Sequence, residues 1–130
     1  MARALLTAVV LSLLVGAAAG AQEAPSGIKR TPLQKVDFPE GHTTVTGLAE
    51  IAPGASAGRH THPGIETGYV LEGTTILSID GQPDLVLEAG QSYLIPAGAV
   101  HDARPGGDQP VKVLGVYIIE RGKPLASPAQ

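Results

Sequence analysis

Cysteine is absent from all 130 residues. That excludes disulfides, thiolate metal sites and a lipid-modified cysteine behind a leader. Tryptophan is absent too, and one phenylalanine and three tyrosines are the only aromatics, too few for a broad platform on which sugars or bases would stack. Charge is sparse: nine basic residues face twelve acidic ones, a formal net charge of −3. With no basic cluster, nucleic acid and anionic membrane surfaces are excluded as partners. The chain also lacks a Gly-x-Ser-x-Gly elbow, a Gly-x4-Gly-Lys phosphate loop and a dinucleotide fingerprint, and with them the chemistries those motifs serve. Beyond the first residues no window shows a 3.6 period, so amphipathic helices are not expected.

What is present begins with one apolar run. Ala4 to Ala19 is interrupted only by Thr7, Ser12 and Gly16, follows Arg3, and leads into Ala19-Gly20-Ala21. This is the composition of a signal peptide over 1–21, with cleavage expected after Ala21. The run is short for a bilayer span, which disfavours the alternative of an uncleaved anchor. A periplasmic or secreted protein is therefore expected, with no stable membrane association once the leader is gone. Residues 22–32 mix Pro, Gly, Ser and charge without periodicity and read as a flexible lead-in, and 121–130 read as a flexible tail.

Between them, short alternating segments broken by Gly and Pro predict an all-β barrel or sandwich over 33–120. Strands are expected at Leu33–Phe38, Thr43–Ile51, Ala57–Thr61, Gly68–Glu72, Thr74–Asp80, Asp84–Leu87, Ser92–Ile95, His101–Arg104 and Val111–Glu120. Asp80-Gly81 predicts a two-residue hairpin turn. The last strand is apolar on both faces, with Val111, Val113, Tyr117 and Ile119 on one and Leu114, Val116 and Ile118 on the other. One wall of a barrel has a wet face, so this pattern predicts a covering partner, a homodimer.

Three of the four histidines and one glutamate fall in two glycine-bounded segments. His60 and His62 sit two apart on a predicted strand and share a face. Pro63-Gly64-Ile65 lets the chain turn before Glu66, and His101 follows the turn Pro96-Ala97-Gly98. Imidazole and carboxylate together suit first-row divalent metals. For His101 to reach the same cavity, its strand must return beside the first pair, as barrels and jelly rolls allow.

This pattern resembles the cupin superfamily. Gly54, His60, His62, Glu66 and Gly73 match its first motif, G-x5-H-x-H-x3-E-x6-G, and Gly90, Pro96, Gly98 and His101 match its second. Pro105 stands where the second motif ends in asparagine, which is not a ligand. The likeness is to small single-domain, quercetinase-like bacterial cupins. It implies a jelly-roll barrel holding one divalent transition metal, Fe, Mn, Ni, Zn or Cu, on His60, His62, Glu66 and His101. It further implies positions left open for a small-molecule substrate.

Three functions follow as expectations. The first is a metal-dependent, dioxygenase-like oxidoreductase on a small chelating substrate, with Glu66 carrying a proton as well as ligating. The second is a non-redox isomerase or lyase on a sugar acid, and the third a non-catalytic metal or small-molecule binder. Around the site, strand parity turns Arg59, Tyr69 and Asp102 away from the ligands. Tyr93 and Arg104 lie near the second motif and are candidates for the cavity mouth. His42 belongs to a solvated loop.

Overall fold

A computed structural model describes residues 27–130; the leader expected over 1–21 lies outside them. Ten strands follow in order: β1 (Ile28–Val36), β2 (His42–Ile51), β3 (His60–Thr61), β4 (Gly64–Glu72) and β5 (Thr74–Ile79), then β6 (Leu85–Glu88), β7 (Ser92–Ile95), β8 (His101–Pro105), β9 (Val111–Glu120) and β10 (Ser127–Pro128). They form two five-stranded sheets, β1-β2-β9-β4-β7 and β10-β3-β8-β5-β6. Every pairing is antiparallel. The all-β fold expected from alternation is observed, and its two antiparallel sheets agree with the jelly roll that the resemblance implies.

Alternation decides which side chains enter. On β4, Glu66, Gly68 and Val70 are buried while Ile65, Tyr69 and Leu71 face out, as the two-residue period requires. Ile51, Val70, Val111 and Val113 form one core cluster, and Leu77 and Ile79 of the facing sheet form a second with Ile95 of β7.

Cross-strand register places three glycines side by side on the inner face of the first sheet. Gly47 opposes Gly115, Gly115 opposes Gly68, and Gly68 opposes Tyr93. A row without side chains across three strands is a trench, and two tyrosines lie in it. A Cβ on Gly68 would come 2.6 Å from Tyr93 Cε1 and closer still to Cζ and the hydroxyl, and one on Gly115 would come 2.5 Å from the Tyr117 hydroxyl.

Several boundaries differ from the sequence reading. β1 starts at Ile28, inside the stretch expected to be a flexible lead-in. Residues 28–32 pair with 47–51 of β2, and Ile28 packs on the Ile51–Val111 cluster. A short Pro- and Gly-containing segment carries no periodicity of its own, and a sheet edge with open hydrogen bonds supplies the reason to extend. The expected flexible tail likewise contains β10, where Ser127 pairs with Thr61 and Pro128 with His60. β3 is only two residues long, because residues 57–59 form a loop leading to it, and β4 begins at Gly64 rather than Gly68.

The tight Asp80-Gly81 hairpin is not formed. β5 ends at Ile79 and β6 begins at Leu85, and Gly81 alone takes a positive φ, +77°. Asp80 and Gly81 still sit at the centre of a turn, closed by Gln82 N donating to the Ile79 carbonyl at 3.0 Å, but the strands pair only from Leu77 and Leu85 onward. The Asp80 carboxylate accepts a two-pronged hydrogen bond from Arg59, at 2.9 and 2.8 Å.

Candidate metal centre

Both sheets contribute to one site. β3 and β8 place His60 directly opposite His101. His62 follows β3 with its ring on the same side, its centroid 4.8 Å from that of His60. From the other sheet, β4 sends in Glu66, flanked in register by Tyr117 on β9 and Ile95 on β7. The loop before His101 is latched to the first segment, since Gly98 N donates to the His62 carbonyl at 2.9 Å. One donor atom from each of His60, His62, Glu66 and His101 lies within 4.8 Å of the others. All four residues expected from the sequence therefore meet.

Hydrogen bonding sets what these atoms can do. Nδ1 of His60 faces the Gly58 carbonyl at 2.6 Å, that of His62 the Leu125 carbonyl at 2.6 Å, and that of His101 the Ala99 carbonyl at 2.9 Å. A carbonyl only accepts, so each Nδ1 carries the proton and each Nε2 presents a lone pair. The Nε2 atoms of His62 and His101 are buried without a hydrogen-bond partner, yet lie 2.9 and 3.3 Å from Glu66 Oε2. Lone pairs facing a carboxylate oxygen at these distances need a cation between them, either a proton or a metal. Three neutral imidazoles and a carboxylate are a donor set that fits a first-row divalent metal, and the carbonyl contacts are the outer support such ligands use.

The carboxylate is held ionised. Burial alone would raise its pKa, but the close imidazoles of His101 and His62, in their charged forms, and the Tyr93 hydroxyl outweigh burial and bring Glu66 down to about 2. The Tyr93 hydroxyl donates to Glu66 Oε1 at 2.9 Å, leaving Oε2 for the imidazoles. Burial lowers His60. It also works against the charged form of His101, but the Glu66 carboxylate facing its Nε2 and the Ala99 carbonyl at its Nδ1 overcome it, so His101 is raised. Both tyrosines are pushed up, first by burial and then by the nearby Glu66 charge, and remain protonated hydroxyls.

The surroundings sort the flanking residues. Of the two candidates for the mouth, Tyr93 enters the cavity, whereas Arg104 sits outside with Asp84 at 3.6 Å and Ser78 at 3.4 Å. Tyr69 faces out, as parity requires, and Asp102 accepts from its neighbour Ala103 N rather than from an imidazole. His42 bonds only the Glu40 carbonyl nearby. Arg59 points its guanidinium to Asp80, while the residue still forms part of the cavity rim.

Three participants escaped the sequence. Tyr117 packs its ring 4.8 Å from that of His62; its parity with Val113 was readable, its approach to the ligands was not. Leu125 supplies the carbonyl that orients His62 from 63 residues away, and a backbone oxygen leaves no signal in a sequence. Arg30 reaches the cavity from β1, in a stretch read as lead-in. The cavity is about 410 Å³, walled largely by aliphatic side chains such as Ile28, Ile51, Leu77 and Val113.

The Cupin_2 family model, described as a cupin domain, matches residues 47–117, more than half of the chain. The chain is a cupin. Among known cupins and their relatives, it is 32% identical over 95 residues to oxalate oxidase 2 of Hordeum vulgare, covering 65% of this chain and 42% of that protein. It is 52% identical over 50 residues to the HTH-type transcriptional regulator PuuR of Escherichia coli, covering 38% of this chain and 26% of the regulator. This cupin therefore spans less than half the length of these curated relatives. A cupin-like protein of Thermotoga maritima has the same fold, with a TM-score of 0.70 at 22% identity over 85% of this chain and 82% of that one.

Proposed function

We propose that this cupin is an exported, metal-dependent oxidoreductase of dioxygenase type acting on a small chelating organic substrate. The observation that carries the metal is the acceptor-only cluster with its two buried, partnerless Nε2 atoms. The likeness to an oxalate oxidase supports the oxidative reading, and the leader composition of residues 1–21 supports export.

A redox-active divalent metal on the four ligands would supply Lewis-acid polarisation of substrate oxygens and electron exchange with dioxygen. The chain's own groups then have separable tasks. His60, His62 and His101 hold fixed lone pairs, each braced by a carbonyl. Glu66, held to about 2, carries a proton poorly at neutral pH, so ligation is its stronger role. The hydroxyls of Tyr93 and Tyr117 stay protonated beside it: that of Tyr93 is committed to Glu66 Oε1, and that of Tyr117 can donate a hydrogen bond to a bound anion. The aliphatic walls limit water around the reacting atoms.

The test is metal analysis of the protein from its native host, followed by oxygen uptake of the iron- and manganese-loaded forms with oxalate, enediols and catechols. Uptake that disappears in His101→Ala together with the metal is the expected result. Stoichiometric metal with no substrate loss, under oxygen or without it, would refute the enzyme reading. It would favour a ligand-binding role instead, for which the 52% identity to part of a transcriptional regulator is the supporting observation.

A further inference from the structure

We propose that Arg30 is an anion-recognising residue of the cavity. It selects a substrate with a chelating head for the metal site, an aliphatic middle and a carboxylate at the far end. This rests on the metal-dependent reading above and adds the chemical class of the substrate.

Arg30 lies on β1 opposite Ala49, which opposes Val113 on β9. All three line the metal cavity, so the arginine belongs to the inward-facing set despite its position near the start of the sheet. Its Nη2 donates to the Ala57 carbonyl at 3.1 Å, which pins the guanidinium across the opening between the sheet and the loop before β3. A guanidinium has five N–H donors, and this bond uses one. Among the described residues no carboxylate lies within ion-pair distance of Arg30. The other arginine on the cavity rim, Arg59, is neutralised by its fork with Asp80. Glu66 is the one carboxylate on the wall, and the imidazole cluster and its metal occupy it. A loaded cavity is thus positive at both ends and apolar between, with Ala49, Ala103 and Val113 on its wall.

Spacing sets a lower bound on the length of the ligand. Val113 shares the row of Arg30, and Tyr117 shares that of Glu66. Four residues on one strand separate these rows by about 13 Å, and β1 lies three strands from β4 across the sheet, about 14 Å more at the usual strand spacing. The long Arg30 side chain spans part of that gap, and a ligand with several carbons between its ends is needed for the rest. Oxalate, with no carbon between its carboxyl groups, is too short to engage both ends.

Binding to the zinc-loaded protein tests this without turnover, because zinc is redox-silent. Zinc stoichiometry is measured first, then calorimetric titrations with oxalate, succinate, glutarate, adipate and butyrate at low ionic strength. We expect at least one of the three longer diacids to bind about tenfold more tightly than butyrate or oxalate, the effect of one charge-assisted contact. Arg30→Gln should bring that ratio to within about twofold while zinc content and thermal unfolding stay unchanged, and Arg30→Lys should keep part of it. A diacid preference that survives Arg30→Gln, or none in the wild type, overturns the inference and leaves the metal site standing. Zinc below one equivalent in the wild type would overturn the metal reading and this one with it.

Discussion

Replacing Gly68 by alanine tests the glycine trench and the site it shapes in one change. The added methyl would lie 2.6 Å from Tyr93 Cε1 and nearer still to Cζ and the hydroxyl. Backbone on both sides is fixed by pairing with β9 and β7, so the ring must leave. Its departure breaks the hydrogen bond to Glu66 Oε1. Overpacking of this kind costs about 1–3 kcal/mol, and a hydrogen bond to a charged group contributes about 1.5–3 kcal/mol. Against them stands about 0.4–1 kcal/mol from the stiffer unfolded chain. A net loss of about 3 kcal/mol is expected, which lowers Tm by roughly 10–20 °C for a domain of this size. Calorimetric unfolding of the metal-free protein measures it. Gly107, with nothing within 4 Å of its hypothetical Cβ, is the control, and Gly107→Ala should be near neutral. The decisive arm is Tyr93→Ala. Once the ring is gone, adding the methyl should cost less than about 1 kcal/mol, so that the two changes couple strongly. An equal loss in both backgrounds would refute the reasoning, as would a Gly68→Ala protein as stable as the wild type.

Three other predictions address the site and its surface. Truncation after Lys123 removes the Leu125 carbonyl and β10. It should weaken zinc binding about 10–100-fold with the remaining barrel still folded by circular dichroism; unaltered affinity in a chelator competition would remove Leu125 from the site. In the metal-free protein, raised His101 adds stability fully present below its ordinary value of 6.5 and lost as pH rises through the raised one. Depressed Glu66 adds stability present above 4.5 and lost as pH falls toward about 2. The apo protein should thus be most stable between these limits. The Tm increment from zinc should grow from pH 5.5 to 8, because metal needs neutral imidazoles; an increment independent of pH would contradict ligation by the three histidines. Finally, the outer face of the first sheet carries Leu48, Leu114 and Tyr69 in one cross-strand row and Thr46, Val116, Thr67 and Leu94 in the next. Charges border this face as the pairs Lys29–Glu50 and Lys112–Glu72. A homodimer covering it should give twice the monomer mass in light scattering at micromolar concentration and separate in Leu94→Lys; a monomeric wild type would dismiss it.

The strands and the ligands were legible in the chain because both depend on short-range pattern. Alternation on Val111–Glu120 sets its two faces, and His60 and His62 share a side by parity alone. Where local pattern and tertiary demand diverged, the structure chose the latter. Ile28–Pro32 became strand because β2 offers an unpaired edge and Ile28 a place on Ile51. Asp80 and Gly81 kept a turn but not a two-residue hairpin, because β5 and β6 pair only from Leu77 and Leu85 onward.

By itself, then, the sequence determined a β barrel with His60, His62, Glu66 and His101 as one ligand set, since spacing, parity and turn residues are properties of neighbouring positions. Only the tertiary structure decided how those ligands are presented. The Leu125 carbonyl selects the tautomer of His62, Tyr93 turns one oxygen of Glu66 away from the imidazoles, and a glycine row makes room for two hydroxyls beside it. Arg30 joins the cavity through β1 pairing. Each of these depends on register between strands far apart in the chain, and register is set by the closed sheet rather than by any local stretch.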